Sequence, residues 1–299
     1  MTLGVVPSSK PPTIKATPLH VSIVLFSGSS LVFFLTLYIL LPRLRAENMS
    51  WFTIYNLVLV LPMLALLGAA LIGYKSEGHP FVWSLLQSRF RLKGMNTITW
   101  LWTIALCVFM FGGRFSVPVT FAIALIAVLF EEQPIQWRLQ LLGGLALFLL
   151  LSLGVWHTEP WLQHIRLHAE PDYVREFLEH FGPHDFMGLP LQGQWWVAVY
   201  YTLVLLCANI AGEELWWRGY LLPRQELVHG RFTWIVHGIL WAAFHLFFQW
   251  TLWDFVRMLP TCCALSFVAQ HRRNTWPGII GHTVGNSAFL IQIVRGIRG

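Results

Sequence analysis

Two adjacent carboxylates, Glu213 and Glu214, followed by Arg218, carry the clearest chemistry in this 299-residue chain. On a helix, Glu214 and Arg218 stand four residues apart on one face and can pair, while Glu213 is turned about 100° away. Neighbouring carboxylates in different surroundings can divide into a base and a structural anchor. A helix end closed by a salt bridge accounts for the same spacing without chemistry. Further on, His245 lies four residues after Trp241, and Asn286 lies four residues after His282, in a stretch that also holds Gly278, Gly281 and Gly285. Taken singly, each fits an interhelical hydrogen bond or a close helix crossing. Together, two Glu, one Arg, two His and one Asn from three segments form a set that can line a polar pocket. A glutamate there can act as general base on water. His and Asn can donate to a developing oxyanion. Two His with one Glu are also a familiar set of catalytic zinc ligands.

The elements that must position these residues are apolar. The chain is 56% hydrophobic and 11% charged, with a mean hydropathy of +0.59, whereas soluble domains carry about a quarter charged residues. So few charges cannot cover a water-exposed surface, and a bilayer removes that requirement. The expected fold is therefore all-α: a polytopic membrane helix bundle of eight or nine transmembrane helices. The apolar runs are residues 19–41, 52–72, 98–111, 117–130, 139–156, 195–212, 232–250, 252–269 and 276–294. Most reach the length a span needs. The third and fourth are short and are split by Gly112-Gly113-Arg114, so they read as two short spans or one broken hairpin. Residues 1–18 form a polar, Pro-rich tail, and residues 19–299 a single transmembrane domain whose first run is an uncleaved span. A basic amphipathic stretch at 76–96 suits the membrane interface. The long polar connection at 157–194 should hold a short helix near Asp172.

The net charge of +6 has no zinc spacing or basic patch behind it that would suit nucleic acid. The charges lie between apolar runs and read as topology signals. Nine spans put Lys10, Lys15, Lys75, Arg89, Arg91, Lys93, Arg138, Arg224, Arg231, Arg272 and Arg273 on one side. Arg43, Arg45, Arg114, Arg166, Arg175, Arg295 and Arg298 fall on the other, with most of the acidic loop. The positive-inside rule then places the N-terminus and the Arg224–Arg231 loop in the cytoplasm. The expected location is a bacterial plasma membrane, with the site opening toward the cytoplasm. Asp254 and Arg257, three residues apart, can simply pair. Cys107, Cys207, Cys262 and Cys263 lie in apolar runs without CxxC spacing. A solute transporter is disfavoured because the ionisable residues cluster and no inverted repeat is visible.

Glu213-Glu214-x-x-x-Arg218, an aromatic residue four before His245, and His282-x-x-x-Asn286 together resemble the CPBP family of intramembrane proteases. That family includes the Ras-converting CAAX prenyl endopeptidases and bacterial relatives linked to bacteriocin immunity. The likeness includes Arg218-Gly219-Tyr220-Leu221-Leu222-Pro223 and covers about residues 195–294, which would be the catalytic core. One residue departs from the usual motif: Trp241 stands where the family has Phe. The resemblance implies an endopeptidase acting on a membrane-associated peptide or protein. Glu213 would activate water, Glu214 and Arg218 would hold the geometry, and His245, His282 and Asn286 would position water or stabilise the oxyanion. If the enzyme uses metal, Glu213, His245 and His282 would ligate zinc. The alternative is an inactive relative acting as a membrane-bound regulator or immunity protein.

Overall fold

The computed structural model describes residues 14–299, and the fold is all-α apart from one two-residue β-hairpin. Lys10 and the rest of residues 1–13 lie outside the described residues. The end of the polar tail is tied down: Thr17 is buried and its N–H donates to the Arg224 carbonyl. The helices are α1 (Leu19–Ala46), α2 (Trp51–Ser76), α3 (Trp83–Arg89), α4 (Thr97–Gly112), α5 (Val117–Leu129) and α6 (Ile135–Trp156). Then come α7 (Glu159–Leu162), α8 (Asp172–Glu179), α9 (residues 195–229), α10 (Thr233–Phe244), α11 (Leu252–Arg272) and α12 (Trp276–Arg298). Between α8 and α9, β1 (Asp185–Phe186) pairs antiparallel with β2 (Leu189–Pro190).

By length and hydropathy five stretches among the described residues can cross a membrane: Leu19–Ala46, Trp51–Ser76, Ile135–Trp156, Trp195–Phe248 and Leu252–Arg272. The expected short runs appear as α4 and α5, joined by a turn in which Gly113 takes a φ of +52°. The last helix, α12, is long but carries the polar residues of the site, which lowers its hydropathy.

Local chemistry starts and bends these helices. Ser50 accepts from the N–H of Thr53 at the start of α2, and Asn96 does the same for Thr99 at the start of α4. Thr251 and Asp254 form a reciprocal capping box at the start of α11. Three wide π-helical turns interrupt α1, α2 and α9 at Thr36–Leu40, Asn56–Val60 and Leu215–Leu221. Each is followed two residues on by a proline, Pro42, Pro62 or Pro223. A proline lacks the N–H its preceding turn needs and its ring crowds the carbonyl behind it, so that turn widens. A fourth wide turn, Leu205–Ile210, lies just ahead of the two glutamates.

Contacts divide the loops into two ends. At the basic end, Glu77 pairs with Arg224, Glu226 receives a two-pronged bond from Arg91 at 2.7 and 2.8 Å, and Arg272 pairs with Glu131 at 2.7 Å. At the opposite end, Arg45 pairs with Glu176 at 2.9 Å, and the Leu167 N–H reaches the Trp250 carbonyl. Asp254 and Arg257 pair at 3.2 Å.

Candidate active site

Three helices bring the polar set together. Glu213 and Glu214 sit at mid-length of α9, about 27 Å along the axis from Trp195 and about 24 Å from His229 at 1.5 Å per residue. Beyond them α9 continues to the loop ion pairs made by Arg224 and Glu226. Gly212 lets α9 approach α2 closely: a Cβ there would collide with the Met63 carbonyl. The opposing helix α12 passes just as closely, since a Cβ on Gly278 would collide with Glu214 Oε2. Gly281 and Gly285 likewise sit against Leu106 and Met110 of α4. The glycines therefore set the distance at which His282 and Asn286 arrive.

Glu213 is 3% exposed, and both its carboxylate oxygens accept hydrogen bonds. Trp241 Nε1 donates to Oε2 at 2.9 Å and Asn209 Nδ2 donates to Oε1 at 3.0 Å. His245 ends α10. Its Nδ1 lies 2.8 Å from the Trp241 carbonyl, which can only accept, so Nδ1 carries the proton. Its Nε2 then faces Glu213 Oε2 at 3.7 Å, beyond hydrogen-bond length but within reach of a shared water. Asn286 does not touch Glu213. Its Nδ2 donates to Asn209 Oδ1 at 2.9 Å, and Asn209 passes the constraint on to Glu213.

Glu214 and Arg218 are wholly buried and pair at 2.9 Å, as their spacing allows. His282 Nδ1 also lies 2.9 Å from Glu214 Oε1. Three polar atoms of this group, Glu214 Oε2, Arg218 Nε and Arg218 Nη2, make no hydrogen bond among the described residues. The Arg218 guanidinium lies 3.4 Å from the centre of the Trp241 ring, a cation–π contact. Trp241 thus joins both glutamates: its edge donates to Glu213 and its face carries the partner of Glu214.

All six expected residues lie in one neighbourhood, but His282 and Asn286 reach it through Glu214 and Asn209. Asn209 was missed from the sequence. Its signal was there, one helical turn before Glu213, but a lone Asn in an apolar run does not stand out. The zinc trio fares differently. Among the described residues no group of three His, Cys, Asp or Glu side chains is arranged to hold a metal. Both Glu213 oxygens are occupied by N–H donors and His282 is turned to Glu214, so these residues do not fit a zinc site as they stand.

Residues 194–288 match the family described as type II CAAX prenyl endopeptidase, Rce1-like. This segment is an Rce1-like domain. It contains every residue of the polar set, in the CPBP motif order. Neither a curated protein nor a solved structure matches the chain. The apolar helices make this a multi-pass membrane protein, and it carries an Rce1-like domain, a type of domain that implies a peptide or protein substrate.

Proposed function

We propose that the Rce1-like domain hydrolyses a peptide bond of a membrane-associated protein or peptide, using water activated by Glu213. The observation that carries this reading is the surroundings of Glu213: a buried carboxylate, held by Trp241 and Asn209, with His245 Nε2 at 3.7 Å. A water held between these two groups gives up a proton to the carboxylate as its oxygen attacks the scissile carbonyl. The N–H donors fix the carboxylate so that its orientation costs nothing at the moment of attack. Glu214, Arg218 and His282 form the anchor that holds α9 and α12 in register. Asn286 acts as a positioning residue through Asn209. The reading includes eight or nine spans, counting α4, α5 and α12 and dividing Trp195–Phe248 at the turn after His229. It also places the basic end in the cytoplasm, where the Lys/Arg excess lies. A cysteine at the exposed Leu227 should then label only from the cytoplasmic side.

The test is purified protein in lipid vesicles with a library of quenched peptides. The wild type should cleave a subset of them and Glu213→Gln, of equal folded yield, should cleave none. Equal cleavage by both would remove Glu213 from the chemistry. Folded wild type that cleaves nothing across the library would favour the inactive-regulator alternative. A chelator that stops cleavage, reversed by zinc, would overturn the metal-free form of the mechanism.

A further inference from the structure

A large cavity lies away from the candidate active site. A slot of about 640 Å³ lies between α4, α5, α6 and α11, and none of Glu213, Glu214, His245 or His282 lines it. Its inner wall is apolar and aromatic, with Leu106, Phe109, Ala124, Leu145 and Phe148 among its residues. Along α6 it runs from Trp137 to Leu149, about 18 Å at 1.5 Å per residue, so it reaches well into the hydrocarbon layer. The helix that bounds it turns most of its surface outward: only 11% of its most apolar stretch is buried. Gly144 of α6 lines the slot, and a Cβ placed there would meet nothing within 4 Å.

The mouth has a different chemistry. It lies at the basic end and is bordered by Arg231, Arg273, Gln270, His271 and Trp234. Two carboxylates near it are already engaged. Glu226 is bound by Arg91, and Glu131 by His271 and Arg272. Arg231 and Arg273 are exposed and make no ion pair among the described residues; Arg231 lies over the ring of Phe232. A deep apolar slot beneath two unpaired guanidinium groups is complementary to one kind of molecule, an amphiphile with an anionic head.

We propose that this slot is a binding site for an anionic phospholipid, with one acyl chain along α6 and the phosphate at Arg231 and Arg273. Charge selects the occupant. Basic pockets between transmembrane helices suit anionic headgroups, and each basic side chain near such a surface contributes about 1 kcal/mol. A zwitterionic lipid could fill the same apolar volume but would leave both arginines without a net charge to meet. The site is separate from the proposed protease chemistry, and its test does not require turnover.

The experiment uses the full chain, delipidated in a neutral detergent and titrated with phosphatidylglycerol or phosphatidylcholine of identical acyl chains. Bound lipid is read by native mass spectrometry and the melting temperature in parallel. Phosphatidylglycerol should bind with one saturable site and raise the melting temperature, while phosphatidylcholine should do neither. The double variant Arg231→Gln, Arg273→Gln alters exposed residues. It should weaken phosphatidylglycerol binding by roughly thirtyfold, two increments of about 1 kcal/mol at about 1.4 kcal/mol per tenfold. Gly144→Leu, which fills the slot and leaves the arginines, should abolish the saturable site. Inorganic phosphate should not compete at millimolar concentration, since it lacks the chain; competition would mean a simple phosphate site and overturn the proposal. Equal retention of both lipids, or unchanged binding in both variants, would also overturn it.

Discussion

Glu213 and Glu214 are neighbours in the chain but belong to two differently built halves of the site. Around Glu213 every carboxylate oxygen has a neutral N–H donor, and an imidazole nitrogen stands just beyond bonding distance. Around Glu214 the partner is a full positive charge, exposure is zero, and several polar atoms go without hydrogen bonds. A buried ion pair of this kind is weak evidence for stability, because desolvation can exceed the Coulombic gain. Its persistence is better explained by geometry: it ties α9 to α12 through His282 and to α10 through the Trp241 ring. The half proposed to do chemistry is therefore well satisfied. The half that holds it in place carries the electrostatic cost.

The largest expected effects separate these halves. Glu213→Gln keeps size and hydrogen bonding but cannot accept a proton, so turnover should fall by about 10²–10⁴-fold while the melting temperature stays near wild type. Glu214→Gln or Arg218→Ala leaves its partner's charge buried and unpaired, which costs roughly 3–5 kcal/mol where desolvation is complete. Those variants should lose folded yield and thermal stability along with activity. Measured side by side, rate and melting temperature should dissociate for Glu213 and move together for Glu214. Parallel behaviour of the two glutamates in both measurements would erase the distinction.

A smaller effect tests the relay from α12. Asn286→Ala and Asn209→Ala each break the path to Glu213 Oε1. Asn209→Ala removes a hydrogen bond to a charged group and should slow hydrolysis by about tenfold or more, while Asn286→Ala removes a neutral one and should cost less. Because Asn286 acts through Asn209, the double variant should be little slower than Asn209→Ala alone. Additive losses would mean that Asn286 meets substrate or water directly.

Trp241 joins the halves, and it is also where the sequence departs from the motif it otherwise resembles. Phe in its place keeps a ring face for Arg218 but has no N–H for Glu213. Trp241→Phe should therefore fold, lose about 1–2 kcal/mol of stability, and keep activity within about tenfold of wild type. A loss as large as that of Glu213→Gln would show that the indole donor is part of the chemistry.

The pairing of Glu214 with Arg218 was legible because it obeys a single helix's geometry. The convergence of α9, α10 and α12 followed from their shared polarity in an apolar setting. Which carboxylate each histidine would meet was not legible. That depends on helix rotation and on how closely Gly212 and Gly278 let neighbouring helices approach, which are properties of packing. The wide turns around the glutamates were hidden for a related reason. Pro223 marks one of them, but a proline in an apolar run signals a disturbance without fixing the register beyond it. The slot between α4 and α6 left no trace in the sequence, since an apolar helix that packs and one that stands aside have the same composition.

The smallest expected effect lies outside the site, at the basic end, and it supplies a contrast for the buried pair. Glu131 sits in the loop between α5 and α6 and accepts from Trp102 Nε1 at 3.0 Å, His271 Nε2 at 2.9 Å and Arg272 at 2.7 Å. Burial alone would push its pKa up. The hydrogen bonds from His271 and Trp102 and the charges of His271 and Arg272 outweigh burial and lower it from 4.5 to about 2. A carboxylate depressed in the folded state stabilises the protein fully above its unfolded pKa. That contribution is lost as pH falls from about 4.5 toward 2. Glu131→Gln should cost only about 1–2 kcal/mol at neutral pH, because Arg272 and His271 keep some access to water. The informative quantity is the slope. Between pH 4.5 and 2 the wild type's melting temperature should fall toward that of Glu131→Gln, and above pH 5 the gap between them should be constant. A gap that stays unchanged down to pH 2 would mean that Glu131 keeps its charge through other contacts. A gap that closes already at pH 6 would mean that the charge of Glu131 is not what sets it.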